Sequence, residues 1–231
     1  MKFFIILVFM GTVTLCAKDV LFIGNSYTMQ TRQTLQQMLK AEGIQWQMTF
    51  ITRGGFTLGR HLQSPQNIEL MKSKKWDAIV LQEQSQTPAY GNLRKGYFAS
   101  LAKIQKMFKK DKTPIYLFTS WGRRDGDKQN IKVAPTYDKM QDMLDEAFAQ
   151  GAKKYKMKTL PINQIWRGVM EADSEFGKSL YRNDGSHPSA KGAYLVAFSL
   201  ISILENKKPE TFNFTGQLSE SELKLVKKLS L

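Results

Sequence analysis

The stretch Asp184-Gly185-Ser186-His187 contains one of only two histidines in a chain of 231 residues. An aspartate three residues before a histidine, in a loop rich in glycine and serine, can place its carboxylate beside one imidazole nitrogen. The other nitrogen then remains available to take a proton from a nucleophile. The stretch therefore predicts a general base, His187, with Asp184 as its partner. The alternatives are a turn-forming aspartate and a buried, hydrogen-bonded histidine.

Ser26 is the candidate nucleophile for this base. Residues 20–23 are apolar, which is typical of a short buried strand, and Gly24 and Asn25 end that run. A serine at this point lies at the carboxyl end of a sheet, where open α/β folds carry their chemistry. The alternative is that Ser26 caps the helix predicted to begin at Tyr27.

Strand-like segments alternate with helical patterns along the chain. Strands are predicted at 20–23, 46–51, 78–81, 115–119 and 155–160, and helices at 31–41, 96–108, 137–149 and 190–204. This alternation predicts right-handed βαβ units and a parallel sheet. The expected fold is α/β: a three-layer α/β/α sandwich around a mostly five-stranded parallel sheet, over residues 18–208. Ser219 and Glu222 predict a capping box that opens a short helix in an accessory segment, residues 209–231.

Polar or glycine-rich residues follow the second and third predicted strands. Arg53-Gly54-Gly55 follows the second, and a glycine pair lets backbone N–H groups approach a ligand closely. Gln82 and Gln84 follow the third, and alternation along a strand would place both amides on the same side. An amide at that point can donate to a developing oxyanion. The alternatives are a tight turn for the glycines and a solvated strand end for the glutamines.

Four segments in this order resemble the SGNH (GDSL-like) hydrolase superfamily. That family has Gly-Asp-Ser or Gly-Asn-Ser after the first strand, a glycine after the second, Gly-x-Asn-Asp after the third, and Asp-x-x-His near the C-terminus. The corresponding segments here are Gly24-Asn25-Ser26, Gly54-Gly55, Leu81-Gln82-Glu83-Gln84-Ser85 and Asp184-Gly185-Ser186-His187. The third departs from the pattern, because Gln84 aligns with the oxyanion asparagine and Gln82 is the alternative.

The resemblance implies a flavodoxin-like fold and a serine ester hydrolase with no metal and no cofactor. Ser26 would attack an ester carbonyl, His187 would take its proton, and Asp184 would orient the imidazole. An acyl-enzyme would form and then be cleared by water. The implied oxyanion donors are the N–H of Ser26, the N–H of Gly54 or Gly55, and the Gln84 amide, with Gln82 as the alternative.

Two further residues are candidates for substrate binding. Trp121 directly follows the fourth predicted strand and could stack on a sugar ring, whereas Arg53 could pair with a carboxylate. The alternatives are a core aromatic and a surface charge.

The sequence has no long apolar flap for a fatty acyl chain, which favours short acyl groups. The family suggests acetyl esters on a carbohydrate, so a small-molecule or glycan ester is the expected substrate. Longer acyl chains, as in a lipase-like esterase, are an alternative. A protein of another class, a non-catalytic carbohydrate- or envelope-binding module on the same fold, is a second one.

The N-terminus has the pattern of a secretory signal. Lys2 precedes an apolar run at residues 3–10, which is too short to span a bilayer. Residues 1–17 are predicted to be a signal peptide, and the protein to be secreted or periplasmic; a buried N-terminal strand is the alternative. Cys16 is the only cysteine, and Leu15 before it disfavours lipid anchoring. Cleavage at this point excludes disulfides, thiol nucleophiles and cysteine–zinc sites from the mature protein.

The chain is strongly basic, with a formal net charge of +14. Many of its lysines occur in three clusters: Lys72, Lys74 and Lys75; Lys106, Lys109, Lys110 and Lys112; and Lys153, Lys154, Lys156 and Lys158. Most lie at the ends of predicted helices, where cations complement the helix dipole. No nucleic-acid-binding motif accompanies the charge, so no nucleic-acid partner is predicted. An affinity for anionic envelope polymers is left open.

Overall fold

The fold is built on one sheet of five parallel strands, in the order β2-β1-β3-β4-β5. The strands are β1 (Lys18–Gly24), β2 (Trp46–Thr52), β3 (Ala78–Leu81), β4 (Ile115–Phe118) and β5 (Lys158–Leu160). A computed structural model describes residues 17–230 of the chain. Most of the predicted signal peptide, Cys16 included, lies outside the described residues. The predicted five-stranded parallel sheet is confirmed.

Nine helices accompany the sheet within residues 17–230. They are α1 (Ser26–Ala41), α2 (Leu58–His61), α3 (Pro65–Met71), α4 (Gly91–Phe108), α5 (Tyr137–Tyr155), α6 (Ile162–Ala172), α7 (Ser174–Ser179), α8 (Ala190–Leu204) and α9 (Glu220–Leu229). Helix α5 extends further than predicted, so β5 is shorter than the strand expected at 155–160. Helices α2, α3, α6 and α7 were not predicted.

The two faces of the sheet are covered by different helices. Val20 and Phe22 of β1 belong to one apolar cluster, with residues of α1, α6 and α8. Leu21 and Ile23 belong to a second cluster, with residues of α4 and α5. Each such side chain contributes about 1.5–3 kcal/mol when fully buried. The alternation along β1 therefore fixes the predicted three-layer α/β/α arrangement.

The strand order changes direction at β1, which has β2 on one side and β3 on the other. Open α/β sheets bind ligands at the carboxyl ends of the strands flanking such a point. Gly24 ends β1 there, and a Cβ on it would lie 2.4 Å from Thr28 Oγ1 and 2.7 Å from Gln82 Oε1. The lack of a side chain at Gly24 lets α1 begin directly after β1. Ser26 is therefore carried at the switch point of the sheet.

The C-terminal segment packs onto the rest of the fold through α9. Its predicted capping box is confirmed: the Ser219 hydroxyl accepts from the Glu222 N–H, and Glu222 accepts from the Ser219 N–H. Val226 of α9 is fully buried, and the Leu229 side chain lies against Gly168 of α6. None of the helices within residues 17–230 is long and apolar enough to cross a membrane. The same part of the chain has no group of three His, Cys, Asp or Glu placed to hold a metal ion.

Candidate active site

Ser26, His187 and Asp184 form a continuous hydrogen-bonded chain. Ser26 Oγ lies 2.8 Å from His187 Nε2, and His187 Nδ1 lies 2.6 Å from Asp184 Oδ2. Ser26 is the first residue of α1, so its backbone N–H lies at a helix N-terminus, where N–H groups lack intrahelical partners. The helix cap is Asn25, whose side chain accepts from the Tyr27 N–H at 3.2 Å. The alternative that Ser26 itself caps α1 is therefore wrong.

Asp184 is held in place by its own loop. Its Oδ1 accepts the N–H groups of Ser186 and His187, both at 2.9 Å, while Oδ2 faces the imidazole. Partial burial raises the pKa of the Asp184 carboxyl, but these hydrogen bonds outweigh it and leave the pKa below its usual value. The aspartate is thus both the turn-forming residue and the partner of the imidazole, and it remains ionised at neutral pH.

Contacts from outside the loop fix it against the rim of the sheet. The Tyr27 hydroxyl lies 2.7 Å from Ser186 Oγ, and the Trp121 indole N–H donates to the Ser186 carbonyl at 3.0 Å. The Arg124 N–H donates to the Gly185 carbonyl at 2.8 Å. The residues that make these contacts lie in the segments directly after β1 and β4. The position of His187 therefore depends on how those strands pack in the core.

A small polar cavity opens at Ser26 and His187. Its volume is about 180 Å³, and its other lining residues are Asn25, Tyr27, Gly55, Gln84, Ser85, Arg123 and Ser186. Arg123 and Ser85 were not predicted as site residues. Arg123 lies just past the rim segment after β4, and its Nη1 donates to the buried Asp127 at 2.7 Å. Its position two residues after Trp121 is the sequence signal that could have identified it.

Three of the predicted oxyanion donors line this cavity: Ser26, Gly55 and Gln84. Gly55 has φ of +70°, a left-handed conformation that suits glycine, in a turn closed by the Phe56 N–H on the Arg53 carbonyl at 3.1 Å. Gly54 is exposed and does not line the cavity. The side-chain oxygen of Gln84, Oε1, accepts from the backbone N–H of Gln86 at 2.8 Å. Its side-chain nitrogen, Nε2, makes a longer contact of 3.3 Å with Gln86 Oε1.

Gln82, unlike Gln84, does not line this cavity. Gln82 is buried; its Oε1 accepts the Asn25 N–H at 2.7 Å and the Thr28 hydroxyl at 3.1 Å. Its amide nitrogen donates to the Glu83 carbonyl. Strand β3 ends at Leu81, so side-chain alternation does not continue through the glutamines. Gln82 thus holds the turn before α1, whereas Gln84 borders the cavity.

Trp121 does not lie on the exposed rim, and its predicted stacking on a sugar ring is corrected. It has 0% exposure and stacks between Tyr27, at 5.0 Å between ring centroids, and Trp166, at 3.8 Å. A substrate cannot reach a ring covered on both faces. Arg53 is exposed, with its guanidinium 4.7 Å above the Phe56 ring, and does not line the cavity.

His61, the second histidine, has a structural environment. It is buried, with Nε2 at 2.8 Å from the Gly24 carbonyl and Nδ1 at 3.1 Å from the Asn67 amide. Burial lowers the pKa of His61 more than its hydrogen bond to Gly24 raises it. A neutral imidazole with both nitrogens occupied supports the turn after β1.

Neither a protein-family model nor a curated protein matches the sequence. Several solved structures, however, are similar to the structure of this chain. A proposed SGNH hydrolase from Slackia heliotrinireducens is 26% identical with a TM-score of 0.67, over 80% of this chain and 97% of that one. A DUF4886 family protein from Bacteroides uniformis is 20% identical with a TM-score of 0.75, over 93% of each chain.

An acetylxylan esterase from Geobacillus stearothermophilus is 16% identical with a TM-score of 0.61, over 81% of this chain and 94% of that one. At such identities the last two similarities concern the fold. The Slackia protein is described as an SGNH hydrolase, and the Gly-Asn-Ser turn after β1 and the Asp-x-x-His loop are the segments of this chain that resemble that family. In its fold and in these segments, the chain is therefore similar to the SGNH (GDSL-like) hydrolases.

Proposed function

We propose that this protein is a serine ester hydrolase that removes short acyl groups, with acetyl esters of carbohydrates as its substrates. The observation that carries the proposal is the chain of contacts from Ser26 Oγ through His187 to Asp184, at 2.8 and 2.6 Å. These distances lie within the hydrogen-bond range that proton transfer requires.

The reaction follows from the order of these contacts. With its proton on Nδ1, facing the ionised Asp184, the His187 imidazole presents Nε2 as an acceptor to the Ser26 hydroxyl. Ser26 Oγ attacks the ester carbonyl while Nε2 takes its proton. The imidazolium then protonates the departing alkoxide as the carbon–oxygen bond breaks, which leaves an acyl-Ser26. Water, deprotonated by Nε2, attacks this ester and releases the carboxylic acid.

The negative charge of the tetrahedral intermediate needs donors on one side of Ser26 Oγ. The Ser26 N–H at the start of α1, the Gly55 N–H and the Gln84 amide all border the same cavity. Each oxyanion donor is worth about 3–4 kcal/mol of transition-state stabilisation. The Gln84 side chain is one methylene longer than that of asparagine. Its Oε1 accepts the backbone N–H of Gln86, which limits the conformations of the side chain.

The small cavity supports the preference for short acyl groups. A cavity of about 150 Å³ is enough for a benzene ring. Within the described part of the chain, the 180 Å³ beside Ser26 has no aliphatic side chain in its lining and therefore suits an acetyl group better than a fatty chain. The acetylxylan esterase from Geobacillus stearothermophilus, which shares the fold, motivates carbohydrate as the alcohol.

Hydrolysis of a series of aryl esters, from acetate to octanoate, tests this function. The wild-type protein should hydrolyse the acetate with the highest kcat/KM, and Ser26→Ala should lose that activity. No hydrolysis by folded wild-type protein would favour the non-catalytic binding module, and a preference for octanoate would favour the lipase-like esterase. Acetylated and deacetylated glycans, compared by acetate release, then test the alcohol.

The remaining proposals concern processing and organisation. We propose that residues 1–17 are a signal peptide, that residues 18–208 form the hydrolase domain, and that 209–231 is an accessory segment. The protein would then act outside the cytoplasm, in the periplasm or the medium. N-terminal sequencing of protein recovered from those fractions should give a first residue near Ala17; an intact Met1 there would contradict cleavage.

A further inference from the structure

A second cleft lies at the end of the sheet opposite Ser26. Its volume is about 340 Å³, and it is bordered by Ile115 and Lys158, the first residues of β4 and β5. Phe108 and Tyr155, the last residues of α4 and α5, line it as well. Because the strands are parallel, their amino ends lie away from the rim that carries Ser26. The cleft is thus separate from the candidate active site.

The rim of this cleft is cationic. It is lined by Lys109, Lys112, Lys156 and Lys158, all of them exposed. Within residues 17–230 these lysines form no salt bridge, and no acidic side chain lines the cleft. The second and third lysine clusters of the sequence meet here, and each contributes two lysines to the rim of one concave surface.

The backbone at two of these lysines is strained. Lys112 and Lys156 both have φ of +53°, and among the described residues the only other non-glycine residue with positive φ is Asn206. Glycine or asparagine usually occupies such left-handed positions at the ends of helices. The helix dipole explains cations near the ends of α4 and α5 but not a lysine in place of glycine. Strain that persists at two positions of one cleft indicates that their side chains have a function.

The floor of the cleft offers apolar surface beneath the cationic rim. Thr113 also borders the cleft, but its Oγ1 has no exposed surface, so a ligand in the cleft does not reach it. Tyr155, Pro114 and Met157 supply the apolar part of the lining. Such a floor suits a ring with one apolar face, and the rim suits carboxylates attached to it.

We propose that this cleft binds an acidic polysaccharide. The lysines would pair with uronate carboxylates, and the Tyr155 ring would face the apolar side of a sugar. The choice of an acidic saccharide over a nucleic acid rests on the proposed function, because a carbohydrate substrate would bring such a polymer to the protein. A second attachment point would raise the local concentration of ester groups near Ser26.

Calorimetric titration of the intact protein with a short oligogalacturonate tests the proposal. The key variant is Lys112→Gly with Lys156→Gly, because glycine relieves the left-handed backbone while removing both charges. We expect binding about tenfold weaker or more, from the loss of two ion pairs, with an unchanged or higher melting temperature. The matched control is Lys72→Gly with Lys75→Gly, which removes two exposed charges elsewhere and should bind like wild type.

Other outcomes would overturn this site. They are no binding of oligogalacturonate by wild type, equal weakening in the control variant, or tighter, cleft-dependent binding of a single-stranded oligonucleotide. Tyr155→Leu should weaken oligogalacturonate binding without changing the charge. Ser26→Ala should bind it like wild type, since loss there would place the polymer at the other site. Aryl acetate hydrolysis, measured on the same samples, reports separately on the proposed function.

Discussion

The indole N–H of Trp121 donates to the backbone carbonyl of Ser186 at 3.0 Å. A residue with no exposed surface thereby holds the loop that carries His187. Tyr27, stacked on Trp121 at 5.0 Å, holds the Ser186 side chain of the same loop. The distance between Ser26 and His187 is therefore set partly from inside the core.

Replacing Trp121 by Phe should keep most of the stack and remove this N–H. We expect kcat to fall about tenfold with KM nearly unchanged, because a buried carbonyl left without its donor costs about 1–3 kcal/mol and loosens the loop. Steady-state kinetics on an aryl acetate and denaturant unfolding measure the two effects. Trp166→Phe is the matched control, since the Trp166 N–H does not reach Ser186; an equal loss of kcat there would refute the positioning role.

Strands β1, β3 and β4 were predictable because each contains a compact apolar run between polar breaks. The segment at 78–81 was predicted with the bounds of β3, and the predicted helix at 190–204 coincides with α8. Helices α2, α3 and α7 have four to seven residues, too few for the helical period to appear in sequence. Helix α6 follows β5 after Pro161 alone, so no loop marks its start.

The candidate site was predictable where local sequence sets its geometry. Asp184 and His187 lie three residues apart in one loop, and Ser26 lies at a strand end. The burial of Trp121 depends on Trp166, which comes from a helix later in the chain, so position after a strand could not reveal it. The separate roles of Gln82 and Gln84 depend on where β3 stops pairing, which is also a tertiary property.

Gln84→Ala should lower kcat by about 10²–10³-fold with KM near its wild-type value, because an oxyanion donor acts mainly in the transition state. Steady-state kinetics on an aryl acetate measure this. Gln82→Ala serves as the comparison: it removes the acceptor of the Asn25 N–H and should lower the melting temperature as well as activity. Full activity in Gln84→Ala would exclude its side chain from the oxyanion site.

Within the triad, His187→Ala should lose more activity than Asp184→Asn. Loss of the base should reduce kcat on the order of 10⁴–10⁶-fold, and loss of the orienting carboxylate about 10²–10⁴-fold. Single-turnover kinetics with an aryl acetate separate the two values. The reverse order, with both variants folded, would require a different base.

His61→Ala should remain active but become less stable, because His61 is buried against the Gly24 carbonyl and the Phe56 ring. Thermal unfolding and aryl acetate hydrolysis, measured on the same preparation, test both parts. If a folded His61→Ala protein lost all activity while His187→Ala remained active, the assignment of the base to His187 would be wrong.

Glu83 should make stability depend on pH. Burial raises the pKa of Glu83 from 4.5 to about 7, although the N–H groups of Gln84 and Leu58 lower it. Between these values the folded state binds a proton that the unfolded state has released, so stability falls as pH rises. The total loss is about 3 kcal/mol at most. Unfolding from about pH 5 to about pH 8 should show this fall in wild type and not in Glu83→Gln; parallel curves would contradict it.

The most direct test of the account is to find which residue an ester-mimicking phosphonate modifies covalently. An aryl phosphonate should phosphonylate Ser26 Oγ with release of the aryl alcohol, and peptide mass spectrometry should locate the adduct on the peptide that contains Ser26. The adduct should be absent from Ser26→Ala and form much more slowly in His187→Ala, in which the hydroxyl has lost its base. An adduct on another residue, or full esterase activity in an unlabelled Ser26→Ala, would contradict the nucleophile assigned to this fold.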